Sequence, residues 1–351
     1  MRVVFDLDDT ICRTENRDYA NARPIELVVQ KMRQLQRIPG TEIIIHTARG
    51  MASCNGDVQK ADAKNRPVIE KWLAEHDIKV DEIIFGKPFA DVYIDDKAMH
   101  ISEFSNGDIR VFKGFSGALV VRVGDVVVKQ AENVRAQAEW YIEAEQLSRW
   151  HRDYFAVPQI YSQSFDKLFM EYIPGNESVY TMEAIDKALT VLDIFRQTPY
   201  NGANDIDEYV AYVRDKARGC DITDDALECE LKSCYLLQEA TFCHGDFSLL
   251  NMMLRRGKLV LIDPSPKKFM HSWLLDAAKL RASLRWLDKS LNNIDVPKYA
   301  IDYFDKHFHV EELRQIKIVE KSHYYRVLYY ANKLGNNVAK NNLIRYYNEN
   351  E

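Results

Sequence analysis

The sequence predicts an α/β protein in two parts: a parallel sheet covered by helices, then a small antiparallel sheet leading into a mostly helical remainder. Three observations support this. Four short, nearly all-apolar runs alternate with helical stretches over the first hundred residues, as strands covered on both faces do. Near Ser105-Asn106-Gly107-Asp108 this alternation gives way to consecutive strands joined by glycine turns. From about residue 173 helical spacing dominates. The 351 residues leave room for two or three domains, and 46% hydrophobic with 28% charged residues can bury real cores without long disorder.

The four runs are Val3-Val4-Phe5, Ile43-Ile44-Ile45, Ile83-Ile84-Phe85 and Val92-Tyr93-Ile94. Between the first two, Ile25, Val28, Val29, Met32 and Leu35 follow the spacing of an amphipathic helix, with Pro24 in its first turn. Between the second and third, Pro67 opens a helix with Val68, Ile69, Trp72 and Leu73 on its inner side. The stretches from Cys12 to Glu42 and from Gly50 to Asp81 each hold a loop and one helix, too little for an inserted cap domain. A boundary near residue 108 separates domains 1–108 and 109–351. Beyond it, Ile109 to Phe112, Ala118 to Val123 and Val126 to Val128 read as strands, joined at Gly114-Phe115-Ser116-Gly117 and Gly124-Asp125. A long helix follows from about Val134 to Trp150. Tyr161-Ser162 and Leu168 to Tyr172 close a small lobe of about 109–172, and a large helical lobe takes up 173–351. Near the C-terminus, Val327, Leu328, Leu334, Leu343 and Ile344 have the spacing of amphipathic helices, which accounts for most of the tyrosines there.

In parallel α/β sheets ligands bind beyond the carboxyl ends of the strands. After the first run stand Asp6, Asp8, Asp9 and Thr10; after the second His46, Thr47 and Arg49; after the third Lys87; after the fourth Asp95 and Asp96. Carboxylates gathered at one edge repel unless a hard cation sits among them, so the cluster predicts Mg2+ and a phosphoryl group. The pattern resembles the haloacid dehalogenase (HAD) superfamily of phosphatases over about the first 105 residues. That resemblance implies a Rossmann-like sheet without a cap, and it implies roles. Asp6 is the nucleophile that takes the phosphoryl group, and Asp8 the acid/base. Thr47 binds the phosphoryl oxygens and Lys87 neutralises developing charge. Asp95, with Asp96 beside it, completes the magnesium site with Asp6 and Asp8. His46 and Arg49 are open between substrate contact on the one hand and sheet-edge packing and a surface ion pair on the other. The phrase IIIHTARGM, with GKP and YIDD beyond it, is similar to small phosphatases found with bacterial capsule and surface-polysaccharide synthesis.

Within the helical remainder stands FCHGDFSLLNMML, followed by LVLIDPSP and LLDAAKL. A loop Asp near an attacking hydroxyl, with an Asn and a second Asp on magnesium, is the arrangement that phosphoryl transfer from ATP needs. This resembles the aminoglycoside phosphotransferase and choline kinase group, relatives of the protein kinases, over roughly 240 residues. The resemblance implies a two-lobed α+β kinase-like domain. In it Asp246 is the catalytic base, Asn251 and Asp263 are magnesium ligands, His244 is structural and Asp276 braces the loop. It further implies that Lys129 pairs with the ATP phosphates, with Glu143 as its helix partner and Glu139 and Glu145 as alternatives. Residues 169–172, Met170 and Tyr172 among them, form the hinge that meets adenine. Gly114 to Ala118 lacks the full GxGxxG spacing, an irregularity at the loop expected over the phosphates.

The formal charge of −6 argues against a broad grip on nucleic acid. No apolar run approaches the roughly 20 residues of a membrane span, and the start of the chain has no signal-peptide pattern. Six scattered cysteines without a CxxC pair suit reduced thiols in the cytoplasm. The expectation is a bifunctional enzyme using Mg2+ and ATP. One activity removes phosphate from a small phosphate ester such as a sugar or polyol phosphate, and the other phosphorylates a small-molecule hydroxyl, in surface-polysaccharide precursor synthesis. Two alternatives are a phosphatase with a silent kinase-like binding domain and a nucleic-acid end-healing enzyme.

Overall fold

The computed structural model describes residues 1–14, 18–88, 90, 98–113, 118–164, 166–175 and 178–349. The residues fall into two compact units, 1–112 with 119–128, and 113–118 with 129–351.

The first unit opens with β1 (Arg2–Phe5), β2 (Cys12–Arg13), β3 (Arg23–Pro24) and α1 (Glu26–Gln36), followed by β4 (Glu42–Thr47), α2 (Val58–Glu75), β5 (Glu82–Phe85) and α3 (Ile101–Asn106). Strands β1, β4 and β5 form a parallel sheet in that order, with Val3 opposite Ile43 and Ile45 opposite Ile83. This is the βαβ arrangement expected of alternating apolar strands and amphipathic helices. Helix α1 buries Val28, Val29, Met32 and Leu35, and α2 buries Ile69, Trp72 and Leu73. The Trp72 indole N–H donates to the Ala22 carbonyl at 2.6 Å, tying α2 to the turn before α1.

Both prolines depart from their expected places. Pro24 pairs with Cys12 in the short β2–β3 ladder, and α1 starts two residues later. Pro67 lies inside α2, which starts at Val58 because Asp57 caps it, accepting the Lys60 N–H at 3.1 Å. The run Val92-Tyr93-Ile94, expected as a fourth strand, lies outside the described residues, as do the Gly114–Gly117 turn, Asp95 and Asp96.

Next come β6 (Ile109–Lys113), β7 (Leu119–Val123) and β8 (Val126–Gln130). The first unit takes in 119–128 because Val121 is buried in the same core as Phe5 and Phe104, so this division differs from a boundary at residue 108. Lys129 sits within β8 rather than after it.

Then follow α4 (Val134–Trp150), β9 (Phe155–Ala156), β10 (Ile160–Gln163) and β11 (Lys167–Glu171). Within the second unit β10 pairs antiparallel with β11, Ile160 opposite Met170. The helical part comprises α5 (Met182–Gln197), α6 (Ile206–Arg218) and α7 (Asp225–Ser233), the hairpin β12 (Met252–Arg255) and β13 (Lys258–Leu261), then α8 (Trp273–Ala282), α9 (Asp288–Asn292), α10 (Ala300–His307), α11 (Val310–Lys333) and α12 (Asn337–Asn348). Strand β13 pairs antiparallel with β12 and parallel with β9. Helix α8 is buried along its whole length and packs on α11. The segment 242–247 between α7 and the hairpin rests on aromatic rings. Phe195 meets Phe242 and Phe247 edge-on, and Trp140 meets His244 edge-on with centroids 5.0 Å apart.

Candidate active sites

In the first unit the end of β1 delivers Asp6, and the tight turn after it, with Asp9 at φ +58°, delivers Asp8. Asp6 Oδ1 faces Lys87 Nζ at 3.3 Å. Burial raises the Asp6 pKa, opposed by Lys87 and reinforced by the nearby charge of Asp8. Asp8 is gripped by Arg49 in a two-pronged pair, Nη2 to Oδ1 at 2.6 Å and Nε to Oδ2 at 3.1 Å. Thr47, buried at the end of β4, accepts the Arg49 backbone N–H on its hydroxyl at 3.0 Å and so aims that arginine. Tyr19 stacks on the guanidinium at 4.3 Å. Arg49 is thus buried and ion-paired with Asp8, not on the surface. A guanidinium two residues beyond the threonine of a strand end was the available signal.

In the second unit, residues far apart in sequence meet around the 244–251 loop. Asp276 on α8, fully buried, accepts the backbone N–H groups of His244 at 2.5 Å and Gly245 at 2.8 Å. Gly245 has φ +77°, and a side chain there would collide with the Ser265 carbonyl. Burial lowers the His244 pKa to about 4, so the imidazole is neutral. One ring nitrogen faces the Ile262 carbonyl at 3.0 Å and the other accepts the Asp246 N–H at 3.3 Å. Asn251 donates its amide N–H to the Asp246 carboxylate at 2.8 Å and to the Asp246 carbonyl at 2.9 Å. Lys279, one helical turn beyond Asp276, pairs with Asp246 Oδ1 at 2.8 Å. Burial pushes the Asp246 pKa up, but Lys279, Arg326 and His244 outweigh it and hold the carboxyl well below the usual range.

Asp263 follows β13 with φ +55°, a left-handed conformation that a non-glycine residue takes only when its surroundings enforce it. Its N–H donates to the buried Tyr141 hydroxyl at 2.9 Å, and its carboxylate pairs with Lys129 of β8. From α4 it is Gln137 that reaches Asp263, at 3.2 Å, while also donating to the Pro264 carbonyl at 2.6 Å. Glu143 is not brought to Lys129. It lies exposed on α4 beside Trp150 and Tyr200, because α4 turns that face away from β8. The alternatives Glu139 and Glu145 pair with Arg135 and Arg149 on the same helix. Gln137 carries no charge to mark it, which is why it escapes a search for an ion-pair partner. Met170 is buried in β11 opposite Ile160, and Tyr172 follows the strand end.

Among the described residues no three His, Cys, Asp or Glu side chains form a metal-binding group. The donor sets still differ in their fitness for a hard cation. Asn251 spends its amide N–H groups on Asp246, which leaves its amide oxygen, and Asp263 is half exposed, with one oxygen facing Lys129 and Gln137. Those two oxygens suit Mg2+. In the first unit Asp6 and Asp8 supply oxygens, and burial of Asp6 beyond what Lys87 offsets favours a further positive charge.

No protein-family model matches the chain, and no curated protein matches it. Among solved structures, a structural-genomics target from Vibrio cholerae is 36% identical over 30% of this chain and 89% of its own, with a TM-score of 0.29. An ADP-bound aminoglycoside phosphotransferase, APH(2'')-Ib, is 16% identical, covering 68% of this chain and 92% of its own, with a TM-score of 0.41. The ethanolamine kinase of Plasmodium vivax is 13% identical, covering 68% and 81%, with a TM-score of 0.46.

Proposed function

We propose that the chain carries two phosphoryl-transfer activities, an ATP-dependent kinase acting on a small-molecule hydroxyl and a phosphatase acting on a small phosphate ester. The observation that carries the kinase reading is the convergence of Asp246, Asn251, Asp263 and Lys129 in the second unit. Asp246, kept ionised by Lys279, is placed to accept the proton of the attacking hydroxyl, and Asn251 fixes the carboxylate's orientation. Asp276 holds the loop from behind through two backbone N–H groups. Lys129 is the cation available to the phosphates of ATP, with Asp263 positioning it and Gln137 holding Asp263. Met170 and Tyr172 would lie on the adenine side. Asn251 and Asp263 would hold Mg2+, which when bound neutralises phosphate charge.

In the first unit Asp6 would attack phosphorus, forming an aspartyl-phosphate as the alcohol leaves, with Lys87 countering the charge. Asp8, oriented by Arg49, would move the proton to the leaving oxygen. Asp6, Asp8, Asp95 and Asp96 would supply the oxygens for Mg2+. The IIIHTARGM phrase supports a place in surface-polysaccharide precursor synthesis. The test is phosphate release and ATP consumption over sugars, polyols, amino alcohols and their phosphates with magnesium. Asp6→Asn should abolish only the release and Asp246→Asn only the ATP use. ATP use that never exceeds the Asp246→Asn background rejects the kinase half, and release that persists in Asp6→Asn rejects the phosphatase half.

A further inference from the structure

Among the described residues, the cationic side chains around Asp246 do not all have carboxylate partners. Lys279 is taken by Asp246. Lys216 on α6 is paired with the exposed Asp215 at 3.1 Å. Lys267, after β13, and Arg326, on α11, are different. Both lie around the Tyr212 ring, with Lys267 Nζ 5.7 Å and the Arg326 guanidinium carbon 5.6 Å from its centroid, and Lys216 Nζ at 5.3 Å from it as well. Among the described residues neither Lys267 nor Arg326 has a carboxylate ion-pair partner. Arg326 instead contacts the His323 ring at 3.0 Å; burial and the charges of Arg326 and Lys279 lower the pKa of that imidazole, whose other nitrogen faces the Leu275 carbonyl at 2.9 Å. Lys267 Nζ also lies 3.4 Å from the Ser265 hydroxyl.

The two cations also feel one another. Burial lowers the Lys267 pKa and the charge of Arg326 lowers it further, while Asp246 acts on both in the opposite sense. Burial alone would raise the Tyr212 pKa, yet Arg326, Lys267, a hydrogen bond with Tyr330 and Lys216 together bring it below its ordinary value. Tyr212, Tyr209 and Asp246 favour the charge of Arg326, whereas burial and Arg326 disfavour that of Lys267, so an anion seated between the two would relieve Lys267. Their combined charge of two matches a phosphate monoester dianion, and guanidinium plus ammonium is a donor set suited to phosphate oxygens.

We propose that Lys267 and Arg326, gathered around Tyr212 next to Asp246, bind a phosphate group already present on the acceptor, so that the kinase substrate is a phosphorylated hydroxyl compound. This rests on the kinase reading of Asp246. In the step, the acceptor hydroxyl oxygen bonds to the γ-phosphorus of ATP as the bond to the β-phosphate oxygen breaks. The hydroxyl proton passes to Asp246, ADP leaves, and the product carries two phosphates. A neutral polyol leaves the two cations unmatched, and an amino alcohol adds a third.

The experiment uses the full chain with Asp6→Asn, so that phosphate esters are not hydrolysed. ATP consumption is compared for a sugar or polyol monophosphate, its uncharged parent, a uronic acid and an amino alcohol, with and without Lys267→Gln and, separately, Arg326→Gln, folding being checked by circular dichroism. The monophosphate should exceed its parent by about tenfold or more in kcat/KM, and Lys267→Gln should remove most of that preference through KM. Rescue by Lys267→Arg separates charge from packing. A parent, uronic acid or amino alcohol used as well as the monophosphate overturns the proposal while leaving the kinase reading intact, as does a preference unmoved by both substitutions. If no acceptor drives ATP use, the kinase reading fails, and calorimetric titration with inorganic phosphate decides the anion site. Phosphate binding lost in both variants supports it, and binding unchanged in both overturns it.

Discussion

Asp276 shows how one side chain can set the geometry of a loop it does not belong to. Its two oxygens satisfy the N–H groups of His244 and Gly245 where no water reaches, so removing them leaves two buried donors unpaired. Asp276→Ala should cost about 2–4 kcal/mol, read as a lower urea midpoint, and should reduce ATP turnover more than nucleotide binding. His244 makes a second prediction, in pH. Its pKa is about 4 in the folded chain against 6.5 for an unperturbed histidine, so between those values the unfolded state binds more protons. Its contribution is therefore full above 6.5 and is lost as pH falls toward 4, a swing of at most about 3 kcal/mol. His244→Asn should lose less stability than wild type between pH 7 and pH 5 in matched urea titrations. An equal loss in the two proteins contradicts burial of a neutral imidazole.

Among the elements, α2 is the one whose sequence and structure disagree most. A proline within a helix removes an i→i−4 hydrogen bond and crowds the preceding turn, which is why Pro67 reads as a helix start. The helix runs through it because Asp57 caps the true start and because Ala61, Asn65, Ile69, Trp72 and Leu73 bury a continuous stripe. Pro67 itself is exposed and packs on little. Pro67→Ala should therefore restore a backbone bond and stabilise the chain by about 1–2 kcal/mol, measured as a raised thermal midpoint. No change, or a loss, means that the proline bend is used by the packing of α2. Helix α8 makes the complementary point. Buried all round, it has no polar face to read from periodicity, and yet Asp276, Lys279 and Arg281 all project from it into ionic or hydrogen-bonded partners.

At the scale of the whole chain, ligand binding couples to stability, since anything that binds only the folded state shifts unfolding by mass action. ATP with magnesium should raise the melting temperature of wild type, by the equivalent of about 2–3 kcal/mol at a hundredfold excess over Kd, and should do so much less in Asp263→Asn. An undiminished shift in that variant removes Asp263 from the nucleotide site. Much of what positions these groups was legible in advance. Alternating apolar runs, the HGD segment and the aspartates at strand ends are local patterns, and local patterns follow from side-chain period and turn chemistry that a single chain writes down. By itself the sequence determined that the runs at Val3, Ile43 and Ile83 become strands with helices between them, and that Asp6, Thr47 and Lys87 stand at or just beyond their ends. Only the tertiary structure decided the pairings: Arg49 on Asp8, Gln137 rather than Glu143 toward Asp263, Lys279 on Asp246, and Lys267 with Arg326 around Tyr212. The physical reason is that such contacts depend on how whole elements rotate and pack to bury their apolar faces, and the spacing of residues along the chain holds no record of that rotation.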